Sequence, residues 1–398
     1  MRLEILSDPE DRVSPAFKVP PRLAKRVEFW FNIYTKYTAT QHVIHHVDYP
    51  WVIFDVVDVK PILEGKGHKW TKHHKAEAEI RNRRKQVVLN LQKLARHNGK
   101  KPLNDELRRL AEILTQIPGK TSKVARVAAS NIRSQLGQKD YIANGLINSA
   151  RYMPLMEEIF GKHDLPLDLT RLPLVESSFN EHAVSKVGAS GIWQIMPAMG
   201  RHFLTMHGPL DERNSPLKAT EAAARILKQN LKILKSWPLA ITAYNHGPGG
   251  LRKAAKKLKT EDLATMIEKY DHDNFGFATS NFYCEFLAAL HAERYKDEIF
   301  GALPIPEPLQ IATIALPRNF KLRTLLSMTG IPLDELQNFN PELKDDDVRN
   351  QTLIPRGYKL FVPAKYAQAL ENLRTGRQSQ KQSKKPITTS SKIPSPQI

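Results

Sequence analysis

The stretch Leu172-Pro-Leu-Val-Glu-Ser-Ser-Phe179 sets one carboxyl group, Glu176, after an apolar run and ahead of two hydroxyls and an aromatic ring. Partly apolar surroundings disfavour the ionised form of a carboxyl and raise its pKa towards the range useful for proton donation. Taken alone, one glutamate at the end of an apolar helical stretch is more often a surface or capping residue. Gly188-Ala189-Ser190-Gly191-Ile192-Trp193-Gln194-Ile195-Met196-Pro197 follows, with small residues where a backbone must approach something closely. Trp193, Gln194 and Met196 together can line a groove for a sugar, the ring as an apolar platform and the amide as paired donor and acceptor. Further on, Ala243-Tyr244-Asn245-His246-Gly247-Pro248-Gly249-Gly250 puts a tyrosine and an asparagine ahead of a glycine-rich turn. That turn reads as a helix stop or as part of the same site. It is not a phosphate loop, because no strand and no GK[ST] pattern frame it.

The elements that must position these residues show in the hydrophobic pattern. At 398 residues the chain is long enough for two or three compact units. Leu23, Val27, Phe31 and Ile33-Tyr34 predict a helix between Pro20 and Thr38. Val43 to Val59 reads as a β-hairpin with Tyr49-Pro50 in or beside its turn. From Trp70 to about Arg133 the composition is helical and basic, broken at Lys101-Pro102 and Ile117-Pro118-Gly119. Tyr141 to Phe300 carries most of the motifs on short helices between Pro- and Gly-rich turns. Leu303-Pro-Ile-Pro-Glu-Pro308 is a stiff linker, after which the order strand–helix–helix–strand runs to Pro363. Beyond Thr375 the tail is polar, basic and poor in apolar residues, so disorder is expected there. The expected class is mainly α. Its segments are an N-terminal extension with a hairpin (1–64), a basic helical region (65–140), a catalytic domain (141–303), a small α/β module (304–372) and a disordered basic tail (373–398).

Lys and Arg number 60 against 41 Asp and Glu, a formal net charge of +19, which directs attention to polyanionic partners. The charge is spread along helical faces, as in Arg81-Asn82-Arg83-Arg84-Lys85, with no zinc-finger or RNP-like signature beside it. A solvated basic surface is therefore expected rather than specific nucleic-acid readout; an anionic envelope polymer or lipid surface would suit the same charge. Cys284 is the single cysteine, and its neighbours Phe282, Tyr283, Phe286 and Leu287 make it a buried structural residue. His42, His45 and His46, with His68, His73 and His74, have no acidic or cysteine partner at ligand spacing and read as incidental surface histidines. No metal and no cofactor is expected. No apolar run approaches the length of a membrane span. The start, MRLEILSDPEDRV, puts charges where a secretory signal would need an apolar stretch.

The order E-S-S-F, A-V-S-K-V-G-A-S-G-I-W-Q-I-M-P and A-Y-N-H-G-P-G-G resembles the SLT-type lytic transglycosylases, which share a goose-type-lysozyme-like fold. The resemblance covers roughly Ile142 to Phe300. It implies a lysozyme-like catalytic domain that cuts peptidoglycan glycan strands in the periplasm or cell envelope, with Glu176 as the single acid/base. It also implies that Ser185 hydrogen-bonds near that carboxyl, that Gln194 and Met196 line the subsites flanking the scissile bond, and that Tyr244 and Asn245 form the opposite wall. Asp211 and Arg213 would be scaffold. The chain departs from the family where a Glu-Thr-Arg-x-Tyr-Val pattern is usual: Ala278 stands for the glutamate and Phe282 for the tyrosine near the catalytic carboxyl. A phenyl ring keeps the apolar wall and loses a hydroxyl. Ordinary glycosidases use two carboxylates. The matched motifs supply one, which favours ring closure by the substrate's own C6 hydroxyl over hydrolysis, with lysozyme-type hydrolysis or non-catalytic wall binding as alternatives. The C-terminal module, with Asn340-Pro341 and Ile354-Pro355 to Pro363, is similar to a degenerate LysM domain, either glycan-binding or structural.

Overall fold

The computed structural model describes residues 4–97, 103–207, 210–343 and 353–375. The chain divides into two units, with the boundary between Pro308 and Leu309. The first begins with helix α1 (Ala24–Thr35), strands β1 (Gln41–His46) and β2 (Ile53–Asp58), and helices α2 (Lys60–Glu64), α3 (Lys69–Arg96), α4 (Asp105–Leu114) and α5 (Thr121–Ala128). Strand β3 (Ile132–Leu136) follows, then α6 (Lys139–Ala150), α7 (Met153–Lys162), α8 (Leu172–Ser177) and α9 (Pro197–Phe203). Two short strands, β4 (Met206–His207) and β5 (Leu210–Asp211), lead to α10 (Pro216–Leu234), α11 (Trp237–His246), α12 (Pro248–Leu258), α13 (Leu263–Lys269), α14 (Phe277–Arg294) and α15 (Lys296–Phe300).

The predicted hairpin forms antiparallel, Val43 facing Val56, and its turn closes where the Val52 amide donates to the Tyr49 carbonyl at 2.8 Å. A third strand completes the sheet in the order β2-β1-β3. Its sequence, Ile-Arg-Ser-Gln-Leu, has a single β-branched residue, which is why it was hidden at the end of a helical stretch. Ile44, Val52 and Phe54 pack in one cluster with Val87, Leu91 and Leu94 of α3, Leu110 and Leu114 of α4, and Ala125 and Ala128 of α5. Hairpin and basic helices therefore share a core, and a division at residue 64 runs through it. Part of the positive charge works inside this assembly. Arg83 pairs with Asp55 at 2.7 Å, Arg84 donates to the Ile132 carbonyl and Arg109 to the Phe54 carbonyl, both at 2.9 Å. Two of the histidines are not on the surface. His45 and His46 are buried at the end of β1, where packing against Phe29 and the loss of water push His45 down to about 4.

Helix α14 is buried on nearly every face, from Thr279 through Ala292. A helix apolar all round must be enclosed by others; α1, α8 and α11 all pack on it. Asn281 fixes α1, its carbonyl oxygen accepting from Arg26 Nη1 at 3.0 Å and Trp30 Nε1 at 2.9 Å. Cys284 lies fully inside, its thiol pushed up to about 12 by burial, as befits a structural residue. The buried Arg171, where α8 begins, pairs with Glu157 of α7 and with Glu293 of α14, the latter at 3.1 Å. It binds the two helices that flank α8 to one another.

The second unit contains β6 (Ile311–Ala315), β7 (Phe320–Lys321), α16 (Leu322–Thr329), α17 (Leu333–Phe339), β8 (Leu353–Ile354), β9 (Lys359–Pro363) and α18 (Ala367–Thr375). β6 pairs antiparallel with β9, from Ile311↔Pro363 to Ala315↔Lys359, so the predicted strand–helix–helix–strand order is present. Two elements went unread: the short β7–β8 pair, and α18, which buries Leu370 and Leu373 and carries the unit past residue 372. The expected disordered tail from 376 onwards lies outside the described residues.

Arg171→Met removes the buried guanidinium that joins Glu157 to Glu293, leaving Glu157 half-buried without it and Glu293 with Arg294 alone. Breaking a buried ion pair from one side costs on the order of 3 kcal/mol. Urea unfolding followed by circular dichroism should show a loss of that size; a variant as stable as the wild type would contradict the role given to Arg171.

Candidate active site

Helix α8 starts with Pro173 in its first turn, where a missing amide hydrogen costs nothing, and buries Leu172, Pro173 and Leu174. It stops because Ser178 and Phe179 are both left-handed, at φ 51° and 54°, an unusual state for residues with a β-carbon. Phe179 is buried and Ser177 Oγ donates to the Ile192 carbonyl at 2.8 Å, so packing and a hydrogen bond hold the turn. Gly145 of α6 lies against the same point: a β-carbon there would meet the Ser178 carbonyl oxygen at 2.9 Å. Glu176 is thereby fixed on the last turn of α8.

The Glu176 carboxyl makes no hydrogen bond or ion pair with a described residue. Burial pushes it up to about 8, and the nearby carboxyl of Glu285 on α14 adds to the shift. Glu285 is itself raised to about 8 by burial, against the opposing charge of Arg133. Two phenols are within electrostatic reach. Tyr244 of α11 is raised by burial and by Glu176, and Tyr34 of α1 by burial and by both glutamates. The chemistry such a cluster offers is proton transfer: a carboxylic acid still protonated near neutral pH, able to donate and then to take a proton back.

The Gly188–Pro197 segment is a tight loop. Gly191, at φ +74°, lies so close to the Arg213 carbonyl oxygen that a β-carbon would stand 2.0 Å from it. Arg213 in turn donates to the carbonyls of Gly188 at 2.7 Å and Ile195 at 3.0 Å, while Asp211 holds its guanidinium at 2.7 Å. The close approach foreseen from the small residues is thus to the protein's own chain, and Asp211 and Arg213 are scaffold. Trp193 is not a sugar platform. It is fully buried, stacked on Phe160 at 5.7 Å, with Nε1 donating to Thr220 at 2.8 Å.

Of the expected site residues, Met196 is 44% exposed and Asn245 is exposed, both available to a ligand. Gln194, left-handed at φ 46°, spends its amide hydrogens on the carbonyls of Ala183 (3.0 Å) and Gly191 (2.8 Å), leaving its carbonyl oxygen. Tyr244 donates to the Trp193 carbonyl at 3.0 Å, which ties α11 to the loop beside Glu176. Gly247, at φ +85°, ends α11, so the glycine-rich turn is a helix stop. Ser185 does not hydrogen-bond Glu176 among the described residues; its Oγ accepts from the Ala189 amide at 2.9 Å and shapes the loop. Phe282 is buried in α14, and Tyr283 turns away to pack on Phe286.

Two groups of the cluster were missed. Glu285 lies three residues beyond Phe282, on the same helical face, and that spacing was the available signal. Tyr34 sits on a helix remote in sequence and carried no signal. No group of three or more His, Cys, Asp or Glu side chains that could hold a metal ion occurs among the described residues. No helix among them is long and apolar enough to cross a membrane.

Residues 162–267 match the transglycosylase SLT domain. The chain is 29% identical over 246 residues to the membrane-bound lytic murein transglycosylase D of Escherichia coli strain K12, a match covering 61% of this chain and 53% of that protein. The same protein from E. coli O6:H1 matches equally. A putative tributyltin chloride resistance protein of Alteromonas sp. strain M-1 is 34% identical over 120 residues, covering 29% of this chain and 58% of that protein. The chain therefore spans about half the length of the curated relatives it matches.

A carboxyl whose folded pKa is raised favours the folded state while protonated. That contribution is full below the unfolded value of about 4.5 and is lost as pH rises through about 8. Glu176→Gln does not titrate, so its melting temperature should gain on the wild type progressively across that window. A difference independent of pH would contradict the raised pKa.

Proposed function

From the premise that residues 162–267 belong to an SLT domain of the lytic-transglycosylase type, we propose that this chain cleaves the β-1,4 bond between N-acetylmuramic acid and N-acetylglucosamine in peptidoglycan. The observation that carries the reading is Glu176: a carboxyl made a weak acid by burial, bound to no described protein group, beside a loop that exposes Met196. Protonated Glu176 gives its proton to the glycosidic oxygen as the bond to muramyl C1 breaks, and N-acetylglucosamine leaves with a free 4-hydroxyl. Positive charge at C1 is eased by the neighbouring 2-acetamido group. Glu176, now a carboxylate, takes the proton of the muramyl C6 hydroxyl while O6 closes onto C1. The product end is 1,6-anhydro-N-acetylmuramic acid, no water is consumed, and Glu176 is again protonated.

Met196, Asn245 and the carbonyl oxygen of Gln194 are assigned to the glycan, with the Tyr244 ring as a wall. Ser185 and Phe282 serve by shaping the loop and the apolar side of the site. Hydrolysis differs in one respect, that water takes the place of O6. Glu285 means that a carboxylate count no longer separates the two outcomes, so the product must. The C-terminal unit is read as a LysM-like glycan-binding module, its two helices lying in sequence between the paired strands β6 and β9. The setting proposed is the periplasm or cell envelope, which the net charge of +19 suits through attraction to anionic envelope surfaces.

Mass analysis of muropeptides released from purified sacculi tests the reading. Wild type should give ends one water lighter than reducing sugars, and Glu176→Gln should lose at least about a thousandfold in rate, as removal of a sole acid/base does. Undiminished release by Glu176→Gln would sink the catalytic assignment; reducing ends would turn it to hydrolysis.

A further inference from the structure

A groove of about 1000 Å³ opens in the first unit, and its walls include none of the residues assigned to the glycan. Two breaks already visible in the sequence shape it. On one side is the Tyr49-Pro50 turn of the hairpin, held by His46, whose Nδ1 accepts from the amides of Asp48 at 3.0 Å and Tyr49 at 3.3 Å. On the other is the Ile117-Pro118-Gly119 corner between α4 and α5, where Gly119 stands at φ +132°. The start of α1 and the end of α13 complete the walls. Arg26 of α1 lines the groove and is only 6% exposed. Its guanidinium donates to Asn281 Oδ1 at 3.0 Å and to the Asp48 carbonyl at 2.7 Å, both neutral acceptors, and lies 5.7 Å from the Trp51 ring. It forms no ion pair with a described residue. A charge so deeply buried is costly unless paired. Trp51 Nε1, in the same wall, is a buried donor without an acceptor among the described residues. Both deficits call for an acceptor, and at Arg26 for a negative one.

We infer that this groove binds the carboxylate-bearing peptide stem of peptidoglycan, apart from the site that cuts the glycan. The inference rests on the reading of peptidoglycan as the substrate. Charge favours a stem. Lys25, Lys123 and Lys269 on the groove's walls are exposed and form no ion pair with a described residue, whereas Arg22 is taken up by Asp262 and Glu268. Against these cations stand two exposed carboxylates, Asp48 and Asp271. A stem carries several carboxylates and the ammonium of its diamino acid, the same imbalance with its sign reversed. Sugar hydroxyls would leave the Arg26 charge unanswered. Tyr49, edge-on to Trp51 at 5.6 Å, and Tyr270 offer ring faces for the stem's methyl and methylene groups. The two sites are also within reach of one another. Tyr270 touches Phe275 at 5.5 Å, Phe275 touches His246 at 5.8 Å, and His246 adjoins Asn245, which is assigned to the glycan. Two ring contacts separate groove and glycan, and four extended residues span about 13 Å. A stem hanging from a muramyl sugar at Glu176 is long enough to enter. Most of the lining precedes residues 162–267, so the matched domain cuts while segments before it select stem-bearing strands.

The test is isothermal titration calorimetry on the full chain carrying Glu176→Gln, so that no turnover intervenes. The probes are N-acetyl-L-alanyl-γ-D-glutamyl-diaminopimelyl-D-alanine, the same peptide with its carboxyls amidated, N-acetyl-tetra-L-glutamate and chitotetraose. The free-acid stem should bind with a Kd below about 1 mM. It should bind at least about tenfold more tightly than the amidated stem, and more weakly as salt is added. Lys123→Glu combined with Lys269→Glu, both at exposed positions, should weaken it by about tenfold or more. Arg26→Gln should weaken it as much, and the lysine pair decides where that variant does not fold. No binding of the free acid, equal binding of the amidated stem, or an unchanged affinity in the lysine variant overturns the proposal. So does tetraglutamate binding as tightly as the stem, which would mark a general acidic-peptide site. Chitotetraose binding that the lysine change weakens overturns it too, making the groove a sugar site. Stem binding without muropeptide release by the wild type would sink the catalytic reading alone; release without stem binding sinks only this inference.

Discussion

A half-buried carboxyl that no described residue neutralises is the constraint on which the arrangement turns. Burying an unpaired acid is unfavourable, and a chain free to relax would rotate Glu176 into solvent or supply it with a partner. Here the surroundings over-determine the position. Arg171 clamps the start of α8 between α7 and α14, Gly145 admits α6 up to its last turn, and two left-handed residues end it. Strain of this kind persists only where neighbouring packing opposes it. The same cost of ionisation that would destabilise the fold is what makes the group useful as an acid near neutral pH.

The segments outside the matched domain are part of this constraint. Helix α1 is hydrogen-bonded to α14 through Asn281 and contributes Tyr34 to the cluster, and β3 brings Arg133 within reach of Glu285. The sheet that carries β3 is backed by the basic helices: Arg83 pairs with Asp55 of β2, Arg84 donates to the Ile132 carbonyl of β3 and Arg109 to the Phe54 carbonyl of β2. Some of the chain's excess positive charge is therefore structural.

Much of this was legible in the sequence because it depends on local rules. The periodicity from Leu23 to Tyr34, the Tyr49-Pro50 turn and the glycine stop after His246 each state a backbone preference, and each is found where it was expected. Glu176 was legible because its motif is contiguous. Less visible were the partners supplied across space. Ser185 was assigned to the carboxyl and instead braces its loop; Trp193 was assigned to a ligand and instead fills the core. A tryptophan looks the same in a sequence whether its indole faces a sugar or Phe160. Glu285 belongs to no contiguous motif: it lies one turn beyond Phe282 on the same face of α14, and spacing alone does not say what that face meets. His45 and His46, read as surface residues, are buried; the His45 ring packs on Phe29 and Phe277, which come from helices that the local pattern does not place beside it.

The central claim is that Glu176 holds its proton through neutral pH, and a direct measurement is the carboxyl-carbon NMR titration of that residue, assigned by comparison with Glu176→Gln. The account expects a midpoint near 8, with the protonated form dominant at neutral pH. A midpoint at the ordinary glutamate value of about 4.3 would contradict it.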